Sequence, residues 1–454
     1  MKEKDARSLF SMTWPIFFEL ILQMLVGNVD QFMISRYSQN SVAAIGNANQ
    51  ILNVLLLTFS VVSLATTILV SQYRGAKDTQ RVGQIYSLAL LTNFTFSFLI
   101  GTILIIFNRP IFQWMQVPAE VLEESCTYMR IIGSFIYLQA ISLTFSAIFR
   151  SNAWLKQALS ISVIVNLLNI LGNALLIHGF GVVRPMGLVG VAISSNIARA
   201  VGIAIYIVLF LRKSDIPISF RNLRPFPWDQ EKKLLSIGLP AGGESLSYSS
   251  AQMCILRFVN EFGTYVITTS IYSKMFATLS YIYTSAVAQA SQILVGYLMG
   301  AQKIEEVNQR VVSTVKIAMA VSLAISSILY LSSDLLFGFF TMNPEVLKLG
   351  KIIMLIDIPL ELGRAVNMVV IRALQASGDI RFPVISGILC VWGIEVSLSY
   401  LLGVHYGYGL IGVWIAMAFD ECFRAVIYIG RWRFGRWRTM KLISPLLPKE
   451  SDIE

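Results

Sequence analysis

Charge is what this chain has least of. Of its 454 residues only 14% are Asp, Glu, Lys or Arg, where a soluble chain has about a quarter. So few charges cannot clothe the two or three soluble domains that this length would otherwise make. A soluble enzyme and a disordered chain are excluded. Cysteine is scarce too: Cys126, Cys254, Cys390 and Cys422 form no CxxC pair, so neither a zinc site nor a secreted disulfide scaffold is signalled. The only histidines, His178 and His405, have no HxxH or HExxH companion. Clustered metal ligands, or a nucleophile beside its base, are missing, and enzymatic activity is not expected. Long polar stretches are lacking as well. The longest connector runs from Arg212 to Lys233, too short to hide an extramembrane domain. The N-terminus, MKEKDARSLF, does not have the order of a cleaved signal.

What fills the chain is apolar. Hydrophobic residues make up 55% and mean hydropathy is +0.66. The apolar runs are near-continuous over about twenty residues, the length of a membrane helix, without the alternation of a membrane β-barrel. The expected fold is an all-α polytopic membrane protein. Its twelve transmembrane helices fall near 12–35, 43–73, 84–107, 124–149, 158–178, 187–211, 234–259, 265–299, 311–333, 346–374, 382–404 and 409–430. This predicts an N-terminal six-helix lobe (1–211), a cytosolic linker (212–233), a C-terminal six-helix lobe (234–430) and a basic aromatic cytosolic tail (431–454).

The formal charge of +10 is explained by placement rather than by nucleic acid. With the N-terminus in the cytosol, 26 of the 36 Lys and Arg fall on cytosolic segments, seven on outer ends, and three (Arg199, Lys274, Arg364) within spans. Positive residues stay inside, so both termini are expected in the cytosol of a plasma (inner) membrane protein. The tail GRWRFGRWRTMK (430–441) reads as an anchor, with aromatics at the headgroup level and basic residues on anionic lipid.

The chain repeats itself. Pro15 and Pro240 lie 225 residues apart, as do Glu19 and Glu244, Gly75 and Gly300, and Glu120 and Glu345. ILVSQYRGA (68–76) sits over ILVGYLMGA (293–301), and PAEVL (118–122) over NPEVL (343–347), at the same offset. GLVGVAI (187–193) matches GLIGVWI (409–415) at 222. Six spans per half is an even number, so the repeats are parallel, with a site expected between or within the lobes.

These features together resemble the multidrug and toxic compound extrusion (MATE) family. The resemblance rests on Pro15 and Pro240, NVDQFMISRYSQNSVAAIG (28–46), the loops QYRGAKD and YLMGAQK, and LQASGDIRFP (374–383), and covers about residues 10–430. It implies two six-helix bundles in a V, a shared central cavity, and export of drugs or metabolites against an inward H⁺ or Na⁺ flux. No cofactor beyond that coupling ion is implied. Lipid-linked oligosaccharide flippases have a similar fold and are the competing reading. A flippase cavity would need several cations for pyrophosphate, and few basic residues lie within these spans.

An ionisable residue at bilayer depth is a functional candidate by default. Residues shared by both halves suit the common scaffold; residues in one half suit a task of that half. Asp30 has Ile255 as its repeat partner. It lies about 22 Å along the helix from Pro15, in the outer half of the membrane. In span 5, Asn166, Asn169 and Asn173 share one face, with the last two at Asp30's depth. Ser195 and Asn196 of span 6 are close in depth. A carboxyl among neutral oxygens in a dry pocket suits proton uptake and release, or a small hard cation. Alternatively, Asp30 faces water near a helix end and the Asn residues cross-link helices. By resemblance, Asp30 matches the family's span-1 aspartate. Asn169 and Asn173 match an Asn-xxx-Asp pair of the DNA-damage-inducible branch, which the chain approaches more than the sodium-type branch, with Asn173 in place of the acid.

The C-terminal half carries Glu244, Lys274, Asp357, Glu361, Arg364 and Glu395, a net charge of −2. The partners of the last five are uncharged: Asn49, Ile132, Ile136, Gln139 and Ile170. Asp357 and Glu361 flank Pro359, an expected kink. The set reads either as a negative wall suited to organic cations, with Lys274 switching partners, or as an internal ion-pair cluster that fixes packing. Asp420, Glu421 and Arg424 can pair within one helix and read as structural. Glu19 and Glu244 recur near the cytosolic side and, with Pro15 and Pro240, read as gate and hinge. The expected activity is cation-coupled export of small organic, cationic or amphiphilic compounds, H⁺ ahead of Na⁺. The expected protein is a monomer in the lipid bilayer, with a small-molecule substrate and no nucleic acid.

Overall fold

The computed structural model describes residues 9–179, 184–440 and 442–443. Lys2, Lys4, Arg7, Lys441 and Lys449, which enter the charge-placement argument, and most of the tail beyond residue 440 lie outside them. The described helices are α1 (Leu9–Ser35), α2 (Gln39–Gly75), α3 (Thr79–Trp114), α4 (Ala119–Ser134), α5 (Ile136–Ser151), α6 (Leu155–His178), α7 (Gly187–Lys213), α8 (Trp228–Asn260), α9 (Thr264–Gly300), α10 (Ile304–Leu331), α11 (Ser333–Gly338), α12 (Pro344–Ser377), α13 (Arg381–His405) and α14 (Gly409–Arg433). With the bent pair α4–α5 taken as one and short α11 set aside, twelve long helical segments result.

Helix boundaries follow local chemistry. The Asp78 side chain accepts from the Arg81 backbone amide at 3.0 Å and caps α3. Asn343 caps α12 in the same way, ahead of Pro344 at the first turn. Gly378, at φ 101°, closes α12 in the left-handed conformation that glycine adopts without cost.

The duplication extends to the helix boundaries. The starts of α2 and α9 (Gln39, Thr264), of α3 and α10 (Thr79, Ile304) and of α4 and α12 (Ala119, Pro344) are each 225 residues apart. α2 and α9 are both 37 residues long. Two departures break the symmetry. At Phe135 the chain bends by 49° between α4 and α5, so the single span expected at 124–149 is two helices. Its counterpart α12 instead runs on as one helix through Pro359, so the expected kink does not break it. α13 contains π-helical turns at Val391–Val396 and Ser399–His405, whereas its counterpart α6 is α-helical throughout.

Helices take up the two ends of the expected linker and leave residues 214–227 between them. α7 continues to Lys213 and α8 starts at Trp228. Asp229 and Glu231 occupy the first turn of α8, where negative charge favours the helix N-terminus. Tyr73 donates to Gln230 at 2.7 Å and Thr92 to Glu231 at 3.1 Å, which fastens that turn to α2 and α3.

The chain forms two compact units. One holds residues 18–74 and 78–238; the other holds 75–77 and the chain from 239 on, with α1 as far as Phe17. In the first, Ile34, Phe59, Phe112, Met129 and Ile132 make a buried core. In the second, Ile255, Phe337, Ile353 and Trp414 do so. Large apolar side chains are also exposed along the helices, among them Ile106, Leu171, Met253 and Val426, as lipid contact requires. By length and composition, α1, α2, α3, α6, α7, α10 and α13 can each cross a bilayer, and the pair α4–α5 makes an eighth span. The remaining long helices, α8, α9, α12 and α14, carry Glu244, Lys274, Asp357, Glu361, Arg364, Asp420, Glu421 and Arg424.

The tail departs from its reading as an anchor. Trp437 is fully buried, stacked on Trp432 with ring centroids 4.1 Å apart, and donates to the Trp432 carbonyl at 2.8 Å. Gly435, at φ 71°, turns the chain back to allow this. Burial of two indoles outweighs placing them among headgroups. Phe434 and the Arg433, Arg436 and Arg438 side chains still point outward.

Candidate functional site

In the first unit the Asn stripe of α6 meets Asp30 of α1. Asn173 donates its side-chain amide to Asp30. Asn169 donates to Ser195 of α7 at 3.0 Å, and Ser194 donates to the Asn169 backbone carbonyl at 2.9 Å. Asp30, Asn169, Asn173 and Ser195 are all buried. Asn166, the first residue of the stripe, is half-buried. The close approach of α6 and α7 depends on Gly172, since a Cβ there would lie 2.3 Å from the Ser194 Oγ. The Oδ1 atoms of Asn169 and Asn173 are buried without a hydrogen-bond donor, so the pocket presents spare acceptors beside the carboxyl.

Two residues at this site escaped the sequence reading. Arg199, one turn beyond Ser195, and Tyr128 of α4 both face Asp30. The Arg199 guanidinium also reaches Asn196 at 3.5 Å, and Asn196 donates to the Ile131 carbonyl at 3.1 Å. Its signal was present: a lone arginine inside a span, four residues after a candidate serine.

In the second unit the interior charges form one cross-helix network. Arg364 of α12 pairs with Glu361 in its own helix and with Glu421 of α14 at 3.3 Å. Arg424 pairs with Asp420 at 2.6 Å and Glu421 at 3.2 Å. Asn367 donates to Glu421 at 2.7 Å. Asp420, Glu421 and Arg424 therefore do pair within α14 and also bind α12. Gly363 allows this, because a Cβ there would come within 2.7 Å of the Glu421 backbone. Gln252 of α8 donates to Glu395 at 2.8 Å. Lys274 of α9 faces Glu395 and Arg364. Asp357, buried, faces Glu361 and Arg364.

The two gate candidates are held differently. Glu19 is buried and accepts from Ser146 at 2.8 Å. Glu244 lies against Gly387, where a Cβ would be 2.9 Å from its Oε1. Pro15 and Pro240 both lie inside helices, α1 and α8.

Duplicated helices in register, apolar exteriors and buried polar constellations define a multi-pass membrane transporter of the all-α, two-repeat type. The sequence pattern of the MatE family matches residues 15–175 and again 240–401, each match opening on one of the paired prolines. The chain belongs to the MatE family. It is 33% identical over 430 residues to the uncharacterized transporter YisQ of Bacillus subtilis, covering 95% of this chain and 94% of that one. It is 22% identical to the probable multidrug resistance protein NorM of Thermotoga maritima, covering 98% and 96%. Among solved structures, the Vibrio cholerae MATE transporter VcmN in the bent form aligns with TM-score 0.87 at 20% identity, covering 95% of this chain and 97% of that one. At that identity the likeness is one of fold.

Proposed function

We propose that this protein is a proton-coupled antiporter that exports small organic compounds, cationic or amphiphilic, by alternating access. In this reading it is a monomer in the plasma membrane with both termini cytosolic, nearer the DNA-damage-inducible branch than the sodium-type branch. The observation that carries the proposal is Asp30, hydrogen-bonded by Asn173 and faced by Arg199 in a buried pocket.

The tethered guanidinium supports H⁺ over Na⁺. A sodium ion would have to share the carboxylate with a fixed positive charge, at a Coulombic cost that is large where water is scarce. A proton instead neutralises the carboxyl and leaves Arg199 free to turn to Asn196. With Asn173 in place of an acid, the relay is carried by a single carboxyl at this position. Protonation would loosen the hold of α1 on α6 and let α1 repack about Pro15.

The second unit supports cationic cargo. Its buried acids outnumber its buried cations, and both guanidinia, Arg364 and Arg424, are engaged by Glu361, Asp420 and Glu421. A lipid-linked pyrophosphate would find no free arginine in that network, which favours the exporter over the flippase.

The test is transport by the purified protein in liposomes. An imposed proton gradient, acidic on the side that faces outward, should drive fluorescent organic cations across the bilayer. A sodium gradient alone should not. Transport driven by sodium at equal pH on both sides would overturn the proton assignment.

A further inference from the structure

We infer that Glu395 and Asp420 hold one proton between them and form a second proton-binding site, in the carboxy-terminal unit. The inference is independent of Asp30 and uses residues that the coupling account leaves idle.

The Glu395 and Asp420 carboxyl groups are within hydrogen-bond reach of each other. Two carboxylates offer only acceptors, so a hydrogen bond between them requires a proton on one. Glu395 is 2% exposed and Asp420 0%, so bulk water does not screen the pair, and two like charges in such contact do not both ionise. Glu395 Oε1 is satisfied by Gln252, but its Oε2 has no donor in the protein. Asp420 Oδ1 likewise has no donor, while its Oδ2 is paired with Arg424, so the shared hydrogen belongs between Glu395 Oε2 and Asp420.

The surrounding charges do not remove the need for it. On α14 the pair faces Arg424 and Glu421; on α13, Cys390; on α8, Tyr248 and Gln252; on α9, Lys274. Arg424 divides itself between Asp420 and Glu421, and Arg364 between Glu361 and Glu421. Two guanidinia thus already serve three carboxylates before Glu395 is counted. Lys274 is the cation left to face Glu395.

The backbone singles out the same spot. Glu395 lies in the π-helical turn Val391–Val396, a distortion often found at functional sites. Its repeat partner is Ile170, in the regular helix α6. Glu395 is about 21 Å along α13 from Arg381, and Asp420 about 16 Å along α14 from Gly409. The antiparallel helices bring both to one level near mid-membrane. Release breaks the shared O–H bond and hands the proton to entering water. It leaves two adjacent carboxylates, partly offset by Arg424 and Lys274, which is a setting that an organic cation can complete.

Infrared difference spectra of the purified full-length protein, recorded through a pH titration, read this directly. Protonated carboxyls have a C=O stretch distinct from carboxylates. Wild type should show a component that Asp30→Asn leaves intact and that Glu395→Gln and Asp420→Asn each remove. Survival of that component in both variants overturns the site. So does its loss on adding sodium at constant pH, which would mean that a metal ion bridges the pair. Should either variant fail to purify, the double exchange Glu395→Asp with Asp420→Glu keeps two carboxyls. It should retain the component at a shifted frequency, and an unmoved component overturns the assignment. Loss of the Asp30 signal alone, with this one intact, would bear on the coupling proposal and not on this one.

Discussion

Asn173 donates its side-chain amide to Asp30, and this bond ties α6 to α1. Its donor side is fixed from behind. Asn169, one turn earlier, is held by Ser195 and by Ser194, so the face presented to Asp30 is set by the α6–α7 contact. The site is therefore as rigid as that helix pair.

Gly172 is the point at which that rigidity is exposed to mutation. A methyl group there meets the Ser194 Oγ at 2.3 Å, so α6 and α7 must part or the serine must turn. Gly172→Ala should cost about 1–3 kcal/mol, the usual range for overpacking, and Gly172→Val more. Both should lower transport by displacing Asn169 and Asn173. Unfolding followed in mild detergent is the check, and unchanged stability of Gly172→Val would mean that the helices do not approach this closely.

Arg364 binds two buried carboxylates on two helices. Arg364→Ala leaves buried Glu361 without its guanidinium, while Glu421 keeps Arg424 and Asn367, and should destabilise by about 3–5 kcal/mol, as for other broken buried pairs. Arg364→Lys keeps the charge but not the fork and should fall between. The half-exposed pair Lys351–Asp334, although at 2.6 Å, should be dispensable, because exposed ion pairs contribute little. Comparable losses for Lys351→Ala and Arg364→Ala would contradict this ranking.

Orientation is open to labelling. In a cysteine-free background, single cysteines at Gln39 and Tyr406 should react with an impermeant reagent from outside, and one at Asp215 only from the cytosolic side. All three positions are exposed. Reaction of Gln39 from the cytosol alone would invert the topology and place Asp30 in the inner half of the membrane.

Much of this was legible in the sequence because the chain states it twice. The 225-residue offset recurs between the helix starts at Gln39 and Thr264, although the apolar runs alone put those starts at 43 and 265. The Asn169–Asn173 face was legible because helical periodicity sets faces. What periodicity cannot convey is which distant helix a face meets. Arg199 and Tyr128 beside Asp30, and Glu421 beneath Arg364, are contacts between helices far apart in sequence. The π-helical turns around Glu395 leave no compositional mark. The tail misled because Trp among Arg resembles a membrane anchor, whereas Gly435 lets Trp437 fold back on Trp432.

The most direct measurement is drug efflux from cells with matched membrane levels of wild type and Asp30→Asn. Asparagine keeps the shape and can still accept from Asn173, but it cannot titrate. Asp30→Asn should fold normally, bind cargo in a way that no longer responds to pH, and show efflux reduced to near background, with Asp30→Glu retaining part of it. Efflux at the wild-type rate in Asp30→Asn, still collapsing when the proton gradient is dissipated, would contradict the account and move coupling to the carboxy-terminal unit.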